Sequence, residues 1–403
     1  MASGRGKLPL LLFIALGAAY VSYLVYWPMP EDLPEPWKAR NLLSLLHFIG
    51  RVSYYGHMLG LGDGYNISRY LIDTFSKIPP KDYSGLKVED LIFDGVPVRI
   101  YIPEGRKTPG PGVVFYHGGG WIVCSKESHD PMTSILAREV NAVVVSVDYR
   151  LAPENPYPIP LEDSLKATKY FFKNAKNWTV DINRIAVMGD SAGGNLAAAV
   201  ALKLKSEAFR PMPKVQALIY PMLQAFDFTG PSHTENSGTV LGSPTEVAFV
   251  SLSYMGADFQ LLWQVVNGNH TTLQMRKDYE RLIDFSLVPE ELKRNYTKKS
   301  LPAGSHTLAD QLKSRLLDPY CFPLMANNLE NLPTTYVATA DHDPLRDDGI
   351  VYAKRLERAE VKVTWNNYKD GYHGIMALIT PPLQTSVGLK MFNDLLDFTK
   401  RNL

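Results

Sequence analysis

The sequence predicts an α/β protein: a mostly parallel mixed sheet with helices on both faces, preceded by a single N-terminal transmembrane helix. Three observations carry that expectation. Apolar-dominated runs such as "GVVFY", "AVVVSV" and "RIAVMGD" alternate with helix-patterned segments, as buried parallel strands joined by crossover helices do. The alternation opens on an antiparallel pair, "LKVEDLIFDGVPVRIYIP" (86–103), folded at Asp94-Gly95. Ahead of both lies a twenty-residue stretch without charge, Leu8 to Trp27.

At about 1.5 Å per residue that stretch spans about 30 Å, the thickness of a hydrocarbon core. Arg5 and Lys7 precede it and Glu31, Asp32 and Glu35 follow, so residues 1–7 are expected in the cytosol and the rest across the membrane. Tyr20, Tyr23, Tyr26 and Trp27 gather at its far end as an interfacial belt would. The rival is a cleaved signal peptide with small residues at Ala15, Gly17 and Ala19; the apolar run past Ala19 favours an anchor. Residues 28–85 read as a cap and linker segment. Helical spacing over 38–60 suits a lid helix packed inward or a surface helix on a membrane.

The catalytic domain is expected over 86–403. After the hairpin, "GPGVVFYHGGG" (110–120) reads as a buried strand running into glycines, and Ala142–Val147 as the next strand. "PIPLEDSLKATKYFFKNA" is an amphipathic helix, and "RIAVMGD" a strand feeding an alanine-rich helix. "VQALIYPML", "TTYVATADHD" and "VKVTWNNYKDG" read as further strands before a terminal helix, Val387–Lys400. The alternation lapses over about 225–332, read as a lid-like helical insertion rich in Leu, Phe, Tyr, Trp and Met. Its aromatics suit an acyl pocket and ordinary core packing equally well.

The 403 residues carry 45% apolar and 21% charged side chains, which argues against disorder and coiled coil. A net charge of +1 gives no electrostatic reason to expect nucleic acid, so recognition falls to a pocket for a small hydrophobic ester or amide. Four sequons, at Asn66, Asn177, Asn269 and Asn295, fit a lumenal domain behind an anchor. The two cysteines, Cys124 and Cys321, fit one bridge or two buried thiols equally well, and no zinc-like spacing is present.

Gly189-Asp190-Ser191-Ala192-Gly193 matches G-x-S-x-G between a strand and a helix. A serine on so sharp a turn needs small neighbours, and the helix start aims backbone N–H groups at developing negative charge. "YHGGGW" (116–121) ends a strand upstream, where glycines let the chain approach a carbonyl oxygen. The oxyanion hole is expected from the N–H groups of Gly118, Gly119 and Ala192, with His117 a prop for the loop rather than a proton carrier. A triad in the order Ser, acid, His then needs two downstream partners at strand ends. His373, between Gly371 and Gly374, fits the base. Among Asp341, Asp343, Asp347 and Asp348, the last two read as first-turn helix charges, and Asp343, deeper in its loop than Asp341, is favoured as the acid. Such a triad requires no metal and no organic cofactor.

HGGGW, "DYRLAPENPYP", GDSAGGN, "DPLRDDG" and "DGYHG" resemble the hormone-sensitive-lipase branch of the α/β-hydrolases. Within it the chain is most similar to the membrane-anchored arylacetamide deacetylase and neutral cholesterol ester hydrolase family. The likeness runs from "YWPMPEDLPEPWK" through "QALIYPMLQAFDF" to "YAKRLERAEVKVTW", essentially the whole chain. It implies an α/β-hydrolase fold, a triad of Ser191, Asp343 and His373, and an oxyanion motif at His117-Gly118-Gly119. It also implies a single-pass type II protein of the endoplasmic reticulum acting on lipid esters, acetylated ether lipids or arylacetamides. Ala340 stands where arylacetamide deacetylase has a cysteine, so that enzyme's disulfide is not expected here. The contrary reading is a binding protein on an inactive hydrolase scaffold, disfavoured because serine and histidine are both present.

Overall fold

The computed structural model describes residues 29–30, 33–77, 81–236, 242–294, 296–297 and 299–403. The expected cytosolic segment (1–7), the apolar stretch (8–27) and Asn295 lie outside the described residues. Among the described residues no helix is long and apolar enough to cross a membrane. The chain divides into two units, Met1–Ser68 and Arg69–Leu403, so the segment read as one piece over 28–85 is shared between them.

In the first unit, α1 (Pro36–Met58) opens with proline in its first turn, where a missing N–H costs nothing. It meets the start of α2 (Gly64–Phe75) at Gly56, where a Cβ would lie 2.8 Å from Ile67 Cδ1. Ser68 Oγ donates to Ser53 Oγ across the same contact, 2.8 Å.

The second unit is built on one eight-stranded sheet in the order β1-β2-β4-β3-β5-β6-β7-β8. β1 (Leu86–Phe93) and β2 (Val96–Pro103) form the expected hairpin, and β2 runs antiparallel to β4 (Val143–Val147). From β4 onward every neighbour is parallel: β3 (Gly110–Tyr116), β5 (Val180–Asp190), β6 (Val215–Ile219), β7 (Thr334–His342) and β8 (Val363–Tyr372). Between them run α3 (Asp130–Val140), α4 (Ile159–Lys173) and α5 (Ala192–Ser206). Val114, Val145, Val187 and Leu218 are fully buried on adjacent central strands, which explains why these strands read as continuous apolar runs.

After β6 the chain leaves the sheet and returns only at Thr334. This insert holds α6 (Pro231–Glu235), α7 (Pro244–Met255), α8 (Leu262–Val266), α9 (Leu273–Tyr279) and α10 (His306–Leu316), joined by short 3-10 turns. α7 has both helix stops written in its sequence: a capping box between Ser243 and Glu246, and Gly256 in the left-handed conformation. Leu252, Met255, Leu312 and Phe322 join the main core, so part of the insert's apolar content is packing, whereas Trp263 is 64% exposed. α11 (Arg346–Arg358) and α12 (Ser386–Asn402) complete the domain.

The strand order reverses at β3, between β4 and β5, and opens a crevice at the carboxyl ends of the strands. Tyr116 pairs with Gly189, so β3 and β5 end level, and His342 pairs with Tyr372 at the ends of β7 and β8. The sheet thereby brings four loops distant in sequence to one rim.

Candidate active site

Ser191 follows β5 with φ 55° and ψ −119°, a left-handed turn that side chains rarely adopt. Its N–H donates to Ile219 O at 2.8 Å, which pins the turn to the end of β6. The flanking glycines are a steric requirement. A Cβ on Gly189 would lie 2.2 Å from Gly193 O, and one on Gly193 would lie 2.0 Å from Tyr116 O.

Ser191 Oγ lies 2.9 Å from His373 Nε2. His373 Nδ1 lies 2.8 Å from Asp343 Oδ2. Asp343 is fully buried and also accepts the N–H of Leu345 at 2.8 Å, which fixes the carboxylate. Burial alone would depress the His373 imidazole, but the charge and hydrogen bond of Asp343 outweigh it, and Asp190 and Glu246 add to them; the net shift is upward from 6.5. The Tyr220 ring stands edge-on to His373, centroids 4.9 Å apart. Two residues of the insert stand at this rim: Gly242, whose Cβ position is 3.1 Å from Pro344 and 4.0 Å from His373 Cγ, and Val250, beside Gly120.

The other aspartates point elsewhere. Asp341 still belongs to β7 and binds Arg294 and Asn367. Asp347 and Asp348 do occupy the first turn of α11, but they are buried anchors rather than surface charges. Asp347 accepts the N–H of Ser232, and Asp348 accepts from Leu223 N–H and Gln224. Burial pushes the Asp348 carboxyl up to about 8.

The glycine loop requires one correction. Gly118 N–H donates to Asp190 Oδ1 at 2.8 Å, and a Cβ there would lie 2.5 Å from that carboxylate, so Gly118 is not an oxyanion donor. The N–H groups of Gly119 and Gly120 make no hydrogen bond to another described residue, and Ala192, first in α5, has no partner within its helix. Among the described residues, the donors left without a partner at this turn are therefore Gly119, Gly120 and Ala192. Gly119 has φ +103°, and a Cβ there would lie 2.2 Å from Val123 O. His117 is fully buried and stacks on Tyr149 with centroids 4.2 Å apart, while Tyr149 donates to His117 O at 2.6 Å. Burial, with His129 nearby, lowers His117 to about 4, so it stays neutral at pH 7.

Asp190, His129, Tyr149 and Gly120 escaped the sequence reading. Asp190 is buried between Gly118 N–H and His129 Nε2, 3.1 Å away. Burial would push its carboxyl up, but His129, His117 and the Gly118 N–H hold it below the usual range. Gly120, Tyr149 and Asp190 each lie inside a quoted motif, which marks them without giving their roles. His129 lies in a polar turn with no motif.

Asn66 and Asn177 are exposed, whereas Asn269 is half-buried and donates to Gln264. Both cysteines are free thiols, Cys321 buried and Cys124 partly so. Among the described residues no cluster of three or more His, Cys, Asp or Glu is placed to hold a metal ion.

A family profile described as the alpha/beta hydrolase fold matches residues 113–275 and 287–377. The chain belongs to the α/β-hydrolase family. Within it, this α/β-hydrolase is 36% identical to mouse neutral cholesterol ester hydrolase 1, over 97% of this chain and 99% of that one. It is 36% identical to bovine arylacetamide deacetylase, over 97% and 98%. Among solved structures, it is similar to a hyperthermophilic esterase from Pyrobaculum calidifontis. That match has a TM-score of 0.61 at 28% identity and covers 84% of this chain and 91% of that one. A bacterial heroin esterase matches with a TM-score of 0.62 at 28% identity, over 83% and 91%. With the hydrolase fold and esterase-named relatives, the chain is a carboxylic-ester hydrolase.

Proposed function

We propose that this α/β-hydrolase is a membrane-anchored serine esterase of hydrophobic substrates, cleaving neutral lipid esters such as cholesteryl esters or acetylated ether lipids through an acyl-enzyme. The observation that carries the chemistry is the unbroken line Ser191 Oγ, His373, Asp343, at 2.9 and 2.8 Å, beside three N–H groups without a partner among the described residues.

His373 Nε2 takes the Ser191 proton as Oγ adds to the ester carbon. Asp343, on Nδ1, fixes the tautomer and stabilises the imidazolium that forms. The carbonyl oxygen becomes an oxyanion over Gly119, Gly120 and Ala192. As the tetrahedral adduct collapses, His373 returns the proton to the departing alcohol, leaving Ser191 acylated. Water, deprotonated by the same base, then releases the acid and restores the serine.

Support for the hydrophobic substrate and the membrane comes from the charge-free Leu8–Trp27 stretch, from the insert at the rim, and from the neutral cholesterol ester hydrolase relatives. The sequons at exposed Asn66 and Asn177 agree with a lumenal domain of the endoplasmic reticulum. The arylacetamide deacetylase relatives support amide cleavage as a second reading, because the same machinery serves a poorer leaving group.

The decisive comparison is wild type against Ser191→Ala on a p-nitrophenyl ester, a cholesteryl ester, an acetylated monoalkylglycerol and an arylacetamide. The expected outcome is cleavage of a lipid ester and a loss of at least about 10³-fold in the variant. Silence on every substrate, with no fluorophosphonate label on Ser191, would mean an inactive binding scaffold. Protease protection and glycosidase sensitivity of intact microsomes test the lumenal placement.

A further inference from the structure

α1 wears its side chains the wrong way round for a surface helix. The residues it buries are mostly small or modest: Ala39, Leu43, Ile49, Ser53 and Gly56. Those it presents to solvent include, beside Asn41, His47, Arg51 and His57, a set of large apolar residues. Phe48, Val52, Tyr55 and Leu59, at i, i+4, i+7 and i+11, form one continuous stripe, 37% to 75% exposed. Trp37, 52% exposed, falls on the same face about three turns before Phe48, and Leu61 extends the stripe past the helix end. Phe48, Val52, Tyr55, Leu59, Leu61 and Ile67 line a shallow apolar hollow of about 500 Å³ with Arg51 at its margin. A monomeric soluble surface rarely exposes so much contiguous apolar area without a partner.

We propose that this face of α1 docks on a lipid surface, seated in the headgroup and acyl boundary of an anionic membrane. Two features select lipid. Over Pro36–Met58 the helix carries Lys38, Arg40 and Arg51 and no carboxylate; Lys38 pairs with the N-cap Glu35, which leaves Arg51 as the basic residue at the hollow itself. Aromatic and aliphatic residues on one side with basic residues beside them are the composition of an interfacial helix. The second feature is tethering. Eight residues separate Trp27 from Pro36, and extended they reach at most about 30 Å. A chain anchored through Leu8–Trp27 therefore holds α1 at the bilayer that the anchor spans. The inference rests on the anchored reading given above and adds to it a second, peripheral contact.

The test uses the full chain reconstituted in vesicles of phosphatidylcholine and phosphatidylserine, with bromine on the lipid acyl chains as a short-range quencher. Leu59→Trp adds one tryptophan at a 75% exposed position, and Ile182→Trp adds one on the second unit, at 37% exposure, as a control. The added emission of Leu59→Trp should fall by about half in brominated vesicles, since such a helix sinks about 5–10 Å into the interface. That of Ile182→Trp should not change. Adding Arg51→Glu and Phe48→Glu to Leu59→Trp should restore the emission. Equal, weak quenching at both positions in protein that sediments with the vesicles would overturn the docking face. A blue shift that bromine leaves untouched, and that grows with protein density, would overturn it in favour of a second copy of the chain. Protein that does not sediment with vesicles overturns the anchor itself. None of these readouts depends on hydrolysis, so a chain that cleaves no ester sinks the esterase reading separately.

Discussion

At the scale of single residues, the catalytic geometry makes sharp demands. A methyl group on Gly119 would sit 2.2 Å from Val123 O, so Gly119→Ala must move the loop whose N–H groups face the reacting carbonyl. Its kcat should fall about 10²–10³-fold while Ser191 still reacts with a fluorophosphonate, measured by ester turnover beside active-site labelling. The base sets the pH response. His373 is raised above 6.5 and works only when neutral, so kcat/KM should climb with pH through a value above 6.5. Asp343→Asn should move that limb to lower pH and cost about 10⁴-fold in kcat. The same shift affects stability with the opposite sign: the His373–Asp343 pair stabilises fully below pH 6.5, and its contribution disappears as pH rises through the folded value. Melting curves of wild type and Asp343→Asn should accordingly converge as the medium turns alkaline. Ser191, Asp343 and His373 were legible because each sits in a short local pattern and their order is fixed. Gly118 reads as an oxyanion donor in sequence because its actual partner, Asp190, lies 72 residues away. No local pattern announces that an aspartate beside the nucleophile will turn back and occupy a loop N–H.

At the scale of elements, periodicity identified the strands and long helices, since burial on both faces and a 3.6-residue stripe are local consequences of position in the sheet. The 3-10 turns of the insert stayed invisible because three residues are too short to show a period, although Asp258 and Asp284 cap two of them locally. Two glycines show how differently the same residue weighs in different elements. In α5, Gly193 passes against β3, and Gly193→Ala would drive a methyl to 2.0 Å from Tyr116 O. In α1, Gly50 has nothing within 4 Å of its Cβ position. Gly50→Ala should raise stability by about 0.5–1 kcal/mol, because it restricts the unfolded chain and meets no obstacle. Gly193→Ala should lower the melting temperature sharply and silence the enzyme, and thermal unfolding of the pair would check both signs. The alanine-rich sequence after Ser191 has the same cause: α5 is buried along almost its whole length, where small side chains let it approach the sheet.

At the scale of the whole molecule, the eight-stranded sheet supplies the chemistry and the insert supplies neighbours for it. The sequence revealed the insert only as a lapse in alternation; that Val250 borders Gly120 and Gly242 borders His373 depends on contacts across the fold. Replacing Gln224–Leu332 with the matching stretch of a relative should leave fluorophosphonate labelling intact. The preference between short and long acyl chains should change by about tenfold or more, because a few methylenes of pocket shape are worth that much. Kinetics on a graded ester series would measure it. Such an exchange is sterically open because β6 and β7, where the insert departs and rejoins, are bonded to each other from Val215↔Thr334 to Ile219↔Ala338. Whatever lies between them hangs from a closed seam. After gene duplication, a copy of this chain can therefore drift toward new esters through changes in one stretch, with a folded and reactive enzyme at every step of the descent.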